Sequence, residues 1–332
     1  MKMKAIVRTK YGSPDVLQLK EVEKPTPTDN EVLVKVHAAS INKADLYLLR
    51  GPFLVRLMGV GFLKPKNKLL GSDIAGQVEV VGKNVKQLQP GDEVFGWRGQ
   101  RAFAEYACAR EDAVALKPAN VTFEEAAAVP VAAITALQAL RDKGNVQPGQ
   151  RVLINGASGG VGTFAVQIAK SFGAEVTAVC STGKLDMVRS IGADHAIDYS
   201  QEDFTKSGQR YDLIIAVNGY HSILDYRRAL SPKGIYVLAG GSKILAGLFQ
   251  AVVLGRLISM TGSKRMGFMG IAKMNLKDLV FLKELLEVGK IKPVIDRRYT
   301  LSQVPEAMRY FEEGHAKGKV VIALEHNPPE AD

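Results

Sequence analysis

The stretch from Val152 to Lys170, VLINGASGGVGTFAVQIAK, constrains this chain more than any other part of it. The apolar run Val152–Ile154 predicts a strand, and the apolar residues after the glycines recur at helical spacing. A strand, a glycine-rich turn and a helix in this order form a phosphate-binding unit, because backbone N–H groups at the turn and helix N-terminus stabilise a pyrophosphate. The stretch therefore predicts a dinucleotide-binding site.

The turn has the spacing G-x-G-x-x-G with Ala157 in the first place. Gly159 lets the backbone approach the pyrophosphate, and Gly162 lets the helix pack closely on the strand. A second predicted strand, Val176–Cys180, follows at the distance expected of this fold and favours it over a plain tight turn. The predicted cofactor-binding residues here are Ala157, Ser158, Gly159, Gly160, Val161 and Gly162.

The residues after the second strand indicate which dinucleotide binds. An NAD site usually has an acidic residue there that accepts from the ribose 2′-OH, but this chain has Ser181, Thr182 and Lys184, and its first acid is Asp186. The two hydroxyls and the lysine suit a 2′-phosphate, which a carboxylate would repel. We expect NADPH rather than NADH; the alternative is that Lys184 is a solvated residue in the first turn of a helix.

Composition fits a two-domain enzyme. The chain has 332 residues, more than one domain usually holds. Its two cysteines, Cys108 and Cys180, provide neither a disulfide framework nor a structural zinc site. No apolar run reaches the roughly 18–20 residues that span a bilayer, and the N-terminus lacks a signal-peptide core. We expect a cytoplasmic protein.

The basic balance of the chain does not indicate nucleic-acid binding. The net charge is +10, from 44 Lys and Arg against 34 Asp and Glu. No nucleic-acid motif and no alternation of aromatic and basic residues accompanies it. General basicity is therefore favoured, and no specific nucleic-acid partner is expected.

The pattern changes along the chain. Residues 1–120 read as strands and turns, including a strand at Glu31–His37, whereas helices and strands alternate from about residue 121. Such alternation predicts a parallel sheet covered on both faces. Further strands are predicted at Leu213–Val217, Ile235–Leu238 and Leu257–Thr261, a helix at 275–289, and a returning strand and helix around Tyr299 and Val304–Glu313.

Several motifs carry a resemblance over nearly the whole length: Gly71-Ser-Asp-Ile-Ala-Gly76, Pro90-Gly-Asp92, the segment 129–140, Gly156–Gly162, Gly192-Ala-Asp194 and Gly318-Lys-Val-Val321. With them the chain resembles the zinc-free medium-chain dehydrogenase/reductases of the quinone oxidoreductase (zeta-crystallin-like) branch. The resemblance implies an α/β fold. A Rossmann doubly wound parallel sheet (121–265) would bind NADP, and a GroES-like β domain (1–120 and 266–332) would be split around it, with the active site in the cleft.

The resemblance also predicts that no metal is bound. Zinc-containing relatives carry a cysteine where this chain has Ile41–Asp45 and a histidine where it has Ser72. The five histidines include no close ligand pair. Without a Lewis acid a simple ketone is a harder target. A quinone or an α,β-unsaturated carbonyl is easier, because conjugation spreads the charge that hydride addition leaves.

The resemblance implies two catalytic residues, Asn42 and Tyr47, which would face the substrate. Either could donate a hydrogen bond to an oxygen that gains negative charge. The alternatives are that Tyr47 only packs there and that Asn42 caps a turn. Lys43 either orients an oxygen or relays a proton, or it is simply solvated. Asp45 is either its exposed partner or a helix N-terminal acid.

The resemblance further implies cofactor contacts outside the glycine turn. Thr135 would border the nicotinamide and the phosphates, and Tyr199 would pack on the adenosine phosphate. Asn218 lies in a loop on the adenosine and ribose side, and Gly240 and Gly241 would let the backbone approach the nicotinamide.

Two apolar and basic segments, 52–68 and 243–256, suggest a lid for a lipophilic acceptor. Alternatively they pack on each other or across a dimer; contact with a membrane surface is less favoured. The resulting prediction is an NADPH-dependent reductase of a small lipophilic carbonyl or quinone, expected as a homodimer. The alternatives are an NADP-dependent alcohol or aldehyde oxidoreductase and a non-catalytic NADPH-binding protein.

Overall fold

The computed structural model describes residues 1–218, 221–241 and 250–325. The strands are β1 (Lys2–Val7), β2 (Gln18–Glu23), β3 (Glu31–Ser40), β4 (Asp73–Val81), β5 (Glu93–Trp97), β6 (Tyr106–Arg110), β7 (Val114–Leu116), β8 (Arg151–Asn155), β9 (Glu175–Cys180), β10 (His195–Asp198), β11 (Tyr211–Ala216), β12 (Leu230–Leu238), β13 (Arg265–Phe268), β14 (Ile295–Thr300) and β15 (Lys319–Ala323). The α-helices are α1 (Lys43–Arg50), α2 (Phe53–Val55), α3 (Phe123–Ala127), α4 (Pro130–Gln138), α5 (Gly160–Ser171), α6 (Leu185–Ser190), α7 (Ile223–Ala229), α8 (Gly255–Thr261), α9 (Leu276–Glu287) and α10 (Val304–Glu312).

The chain forms two compact units. The first contains Met1–Val131, Met274–Glu287 and Pro293–Asp332, and the second contains Ala132–Lys273 and Val288–Lys292.

The second unit is a parallel sheet of six strands in the order β10-β9-β8-β11-β12-β13. Counted from β8, this is the order 3-2-1-4-5-6 of a doubly wound dinucleotide-binding sheet. The central strand is apolar on both faces, because Val152, Leu153 and Ile154 are all fully buried, as helices covering both sides require. The predicted Rossmann sheet is confirmed.

The sixth strand lies elsewhere than the sequence pattern predicted. Leu257–Thr261 belongs to helix α8, so the strand prediction there was wrong, and β13 takes the edge position beside β12. The β13 segment Arg-Met-Gly-Phe has four residues and no β-branched side chain. It therefore gives little strand signal of its own, and pairing with β12 determines its conformation.

The first unit is built on a seven-stranded sheet in which β14-β15-β3-β4-β5-β7 are neighbours and β6 also pairs with β3. Strand β3 is central and confirms the predicted strand at Glu31–His37. Its residues Val32, Val34 and Val36 are fully buried in the core of this unit. This unit is the GroES-like domain.

Strand register brings three distant parts of the first unit together. Ser40, at the end of β3, pairs with Asp73 at the start of β4 and with Val321 of β15. Helix α1 starts directly after β3, with Asn42 as its N-cap residue. The end of β3, the start of α1 and the first residues of β4 and β15 therefore meet at one edge of the sheet.

Candidate active site

The glycine turn of the second unit contains two glycines at which an added Cβ would clash with the backbone. Gly156 has φ +88°, and a Cβ there would lie 2.7 Å from the backbone N of Asn218. A Cβ on Gly162 would lie 2.1 Å from the carbonyl O of Gly156. Sequence reasoning assigned the first glycine position to Ala157, which is fully buried, and missed Gly156 as a site residue. The Asn-Gly dipeptide directly after the strand was the available signal.

Gly159 differs from these two because nothing in the protein requires a glycine there. Its φ is −87°, and the nearest atom to an added Cβ would be 3.8 Å away. The first N–H groups of a helix have no intrahelical partner. Gly159 is the N-cap of α5 and has no side chain that could accept from them. Open space in front of unpaired donors fits the pyrophosphate of a dinucleotide.

The turn lies where ligands bind in such sheets. The N–H groups of Val217 and Asn218 both donate to the carbonyl of Asn155, at 2.9 and 3.1 Å. An added Cβ on Gly240 would lie 2.6 Å from the carbonyl O of Val217. The ends of β8, β11 and β12 are thus adjacent at the point where strand order reverses. Of the segments predicted nearby, Gly219 and residues 242–249 lie outside the described residues.

The other predicted cofactor residues of this unit have mixed exposure. Thr135 is half-buried on α4, and Tyr199 is exposed directly after β10. Gly241 follows β12 with φ +148°. Tyr199 directly follows β10, and Gly241 lies three residues after the end of β12, so both are near the carboxyl ends of strands, as the glycine turn is. The cofactor role of all three residues stays a prediction.

The turn after β9 contacts a carboxylate of β10 that sequence reasoning missed. Thr182 donates to Asp198 of β10, and the N–H and hydroxyl of Ser200 donate to the same carboxylate at 2.9 and 2.8 Å. The hydrogen bond from Thr182, followed by those from Ser200, lowers the pKa of Asp198. The register places Asp198 beside Cys180, so the Thr182 hydroxyl is engaged by an ionised neighbour. Parallel pairing of the second and third strands was the signal that could have found it.

In the first unit, a buried polar network surrounds Asn42. The Nδ2 atom of Asn42 donates to Asp73 at 2.8 Å, and its Oδ1 accepts from Nζ of Lys319 at 2.7 Å. Asp73 also accepts from Ser40 (2.9 Å) and from the N–H of Val131 (3.0 Å) near the start of α4. Asp73 is completely inaccessible to solvent and Lys319 is 2% exposed.

Asp45 belongs to the same network. Its carboxylate accepts from the backbone N–H of Asn42 at 2.8 Å and lies 3.1 Å from the hydroxyl of Ser72. Of the two predictions for Asp45, the exposed partner of Lys43 is wrong because the residue is fully buried, and the helix N-terminal acid is right. Burial, together with the charge of Asp73, raises the pKa of Asp45 to about 7 against hydrogen bonds that lower it.

The residues at this place do not fit zinc. The segment Ile41–Asp45, which matched the cysteine ligand of zinc-containing relatives, places the carboxamide of Asn42 between Asp73 and Lys319. At the position of the histidine ligand, the hydroxyl of Ser72 donates to Asp45. A thiolate and an imidazole, the usual zinc donors, are absent from these two positions. The ammonium of Lys319 lies within the network, where it would repel a metal cation. No cluster of three or more His, Cys, Asp or Glu side chains suited to a metal occurs in the described part of the chain.

Tyr47 lies on α1, one turn after the network. It is half-buried, and burial raises the pKa of its hydroxyl, which therefore stays protonated at neutral pH. The Nζ atom of Lys43, an exposed residue, lies 5.9 Å from the centroid of its ring. Among the described residues, nothing hydrogen-bonds to the Tyr47 hydroxyl, which leaves it able to donate to a ligand.

The segment 52–68 presents large apolar side chains to solvent. Phe53 and Phe62 pack edge to face with centroids 6.1 Å apart, yet they are 64% and 56% exposed, and Leu63 is 87% exposed. The segment is held in place because Tyr11 donates to the carbonyl of Gly61 at 2.7 Å and Arg56 donates to Gly51. Exposed apolar surface of this kind is typical of segments that contact a ligand, a protein or a membrane.

A doubly wound sheet with a phosphate-binding turn, in one chain with a GroES-like unit, defines an NAD(P)-dependent oxidoreductase. Comparison with known proteins agrees. The alcohol dehydrogenase GroES-like domain model matches residues 28–138, and the zinc-binding dehydrogenase model matches residues 191–322. The chain belongs to the medium-chain dehydrogenase/reductase family, as the motifs predicted.

Individual relatives cover almost the whole chain. A 2-methylene-furan-3-one reductase of Solanum lycopersicum is 38% identical over 96% of this chain and 79% of its own length. An NADPH-dependent chloroplastic alkenal/one oxidoreductase of Arabidopsis thaliana is 34% identical over the same shares. The quinone oxidoreductase structure from Coxiella burnetii is 31% identical with a TM-score of 0.85, covering 98% of this chain and 100% of that one.

Two predictions about cellular context stay open to experiment. No helix within residues 1–218, 221–241 and 250–325 is long and apolar enough to cross a bilayer. Some relatives are named as mitochondrial and others as chloroplastic, so a cytoplasmic location stays a prediction. The same holds for the expected homodimer.

Proposed function

We propose that the protein is an NADPH-dependent reductase that transfers a hydride to a quinone or to the β-carbon of an α,β-unsaturated carbonyl. One observation carries this proposal. A chain with a dinucleotide-binding turn holds an amide and a hydroxyl at the two positions matched to zinc ligands of metal-dependent relatives, with a buried ammonium beside the amide. Such a site lacks a Lewis acid and suits acceptors that delocalise charge themselves. The names of the relatives support the same acceptor classes.

The residues of the second unit would hold the coenzyme. The N–H groups at the start of α5 would bind the pyrophosphate, and Ser181 and Lys184 would bind the 2′-phosphate. The negative charge of Asp198 disfavours a 2′-phosphate nearby, but its carboxylate accepts hydrogen bonds from Thr182 and Ser200. Lys184 supplies the compensating cation. Bound NADPH supplies the hydride.

The residues of the first unit would act on the acceptor. The Tyr47 hydroxyl would donate to the acceptor oxygen as negative charge develops on it, and Asn42 would provide a second donor. Because the pKa of Tyr47 is raised, the hydroxyl would be a hydrogen-bond donor and not a proton source at neutral pH, and water would deliver the final proton. The exposed apolar side chains of 53–63 would bind the apolar part of a lipophilic acceptor.

The test is NADPH consumption against a panel of quinones, enals, enones and simple ketones, with metal content measured on the same sample. We expect turnover of quinones or conjugated carbonyls, slower turnover of simple ketones, and substoichiometric zinc. Faster oxidation of alcohols with NADP⁺ would favour the alcohol dehydrogenase alternative. Calorimetry that detects no binding of NADPH or NADH would overturn the proposal.

A further inference from the structure

The buried ammonium of Lys319 has no part in the mechanism proposed so far. Its Nζ atom contacts three oxygens: Oδ1 of Asn42 at 2.7 Å, the carbonyl of Ile41 at 3.1 Å and Oδ2 of Asp73 at 3.5 Å. Three acceptors match the three hydrogens of an ammonium, whereas a neutral amine would turn a lone pair towards one of them. Burial lowers the pKa of Lys319, while the charges of Asp73 and Asp45 act in the opposite direction. The contacts therefore favour the charged form.

This arrangement fixes the orientation of the Asn42 carboxamide. Its oxygen faces the ammonium and its nitrogen faces the carboxylate of Asp73, at 2.8 Å. A flipped amide would place N–H against an ammonium and oxygen against a carboxylate, losing two charge-assisted hydrogen bonds at once. One orientation alone satisfies both neighbours.

The same arrangement leaves one donor over. Nδ2 carries two hydrogens, and Asp73 takes one of them; within the described residues the other has no acceptor. Asn42 is buried, with 7% of its surface exposed. An ammonium on the amide oxygen withdraws electron density from the nitrogen, and hydrogen bonds in such chains strengthen one another.

We propose that Lys319 is a positioning residue of the acceptor site: its buried ammonium orients and polarises the Asn42 amide so that the remaining Nδ2 hydrogen donates to the acceptor oxygen. The inference rests on the proposed function for its kinetic consequence. Lys319 acts through Asn42 and does not itself touch the acceptor. The resident cation of this site is thus part of the polypeptide.

The test compares Lys319→Met, which keeps an unbranched side chain but removes the ammonium, with Lys319→Arg, which keeps the charge. Lys117→Met is the matched control, because the side chain of Lys117, in the same unit, is only 6% exposed, donates to Pro118 and Val121 and pairs with Glu93 at 3.1 Å. We expect Lys319→Met to lower kcat for an enone by about 10- to 100-fold, with the Kd for NADPH unchanged. Lys319→Arg should recover part of the loss. Lys117→Met should keep kcat while losing stability.

A double variant separates positioning from a general loss of structure. If Lys319 acts through Asn42, then Lys319→Met should reduce kcat little further in an Asn42→Ala background. Effects that multiply in the double variant, or wild-type kcat in Lys319→Met, would overturn the inference. Reduction of a quinone of high reduction potential depends less on a hydrogen bond to its oxygen. The kcat for such quinones should therefore fall less in Lys319→Met than the kcat for enones.

A second readout does not depend on turnover. In a ¹⁵N–¹H spectrum of the side-chain amides, the Asn42 pair is assigned by its disappearance in Asn42→Ala. Lys319→Met should shift this pair, Lys319→Arg should shift it less, and Lys117→Met should leave it in place. If the wild type reduces no acceptor, the proposed function fails and this spectrum still decides whether Lys319 fixes the amide. An unshifted Asn42 pair in Lys319→Met would overturn that claim.

Discussion

The hydroxyl of Ser72 lies 3.1 Å from the carboxylate of Asp45, and neither side chain is open to solvent. In zinc-dependent relatives the Ser72 position holds a metal ligand; here it forms part of a buried network that includes two carboxylates and one ammonium. A buried site with more acids than bases is sensitive to pH, because burial favours the neutral form of a carboxyl group.

Asp45→Asn should therefore change stability in a pH-dependent way. The pKa of Asp45 is raised from 3.8 to about 7 by burial, with the charge of Asp73 in the same direction and Lys319 opposing it. Between those two pKa values the folded protein binds more protons than the unfolded chain. The free energy of unfolding of the wild type therefore falls as pH rises from about 4 to 7. The asparagine of the variant does not titrate, so the free energy of unfolding of Asp45→Asn does not fall in this way. The difference between variant and wild type should therefore increase, in favour of the variant, by on the order of 2–4 kcal/mol over this pH range.

Urea unfolding at several pH values measures this difference. Asp112→Asn is the control, because the exposed carboxylate of Asp112 pairs with Arg110 at 2.7 Å and its pKa is lowered. The pH-dependent change in the free energy of unfolding that Asp112→Asn causes should be small and opposite in sign to that of Asp45→Asn. A constant difference between Asp45→Asn and wild type from pH 4 to 7 would show that Asp45 titrates normally.

Two glycines of the dinucleotide turn should respond differently to alanine. In Gly162→Ala the new Cβ would meet the Gly156 carbonyl at 2.1 Å, and we expect a loss of about 1–3 kcal/mol of stability. In Gly159→Ala the nearest protein atom is 3.8 Å away, and stability should change by about 0.5 kcal/mol or less. The added methyl group would instead occupy the approach of the pyrophosphate. Calorimetry should give a Kd for NADPH raised about tenfold or more; a wild-type Kd would place the pyrophosphate elsewhere.

The choice of coenzyme should depend on Lys184 and Asp198. Loss of one charge-assisted hydrogen bond costs about 1.5 kcal/mol, so Lys184→Ala should raise the Kd for NADPH about tenfold and leave that for NADH unchanged. Asp198→Asn removes a negative charge from the neighbourhood of Thr182 and should tighten NADPH binding. Equal changes for both coenzymes in Lys184→Ala would mean that Lys184 does not contact the 2′-phosphate.

Tyr47→Phe should lower kcat while the fold and coenzyme binding persist. Phenylalanine keeps the half-buried ring and removes only the hydroxyl, which nothing in the described residues binds. Loss of a single oxyanion donor typically costs about 100-fold or more in kcat. Tyr310→Phe, which removes a hydroxyl bonded to Asp296 at 2.5 Å in the same unit, is the control and should keep kcat. Wild-type kcat in Tyr47→Phe would assign Tyr47 to packing alone.

Local signals predicted the elements that carry the coenzyme, because strand, turn and helix follow one another between Arg151 and Ser171. They failed where tertiary pairing decides, as with β13 and with the helix at Leu257–Thr261. The network around Asn42 was beyond local reasoning for the same reason: Lys319 is 277 positions away from it. The motif Gly318-Lys-Val-Val321 supported the resemblance, but only the register of β15 against β3 shows what its lysine contacts.

The exposed apolar side chains of segment 52–68 should determine how well long-tailed acceptors bind. The segment contains four basic residues and no acidic one between Gly51 and Leu70, and its Phe62 and Leu63 are 56% and 87% exposed. Burial of two such side chains against an acceptor tail is worth about 1.5–3 kcal/mol each at most. Phe62→Ser with Leu63→Ser should therefore raise the KM for a long-chain quinone by about tenfold or more and leave the KM for a tailless quinone unchanged.

Leu224→Ser is the matched control, because Leu224 is 60% exposed on α7 of the second unit. It should change neither KM. The alternatives for the segment predict other readouts: loss of a dimer in light scattering if it packs across an interface, or loss of sedimentation with anionic vesicles if it contacts a membrane. Equal KM values for both quinones in the double variant, together with a change in mass or in vesicle binding, would assign the apolar surface to one of those roles and remove it from acceptor binding.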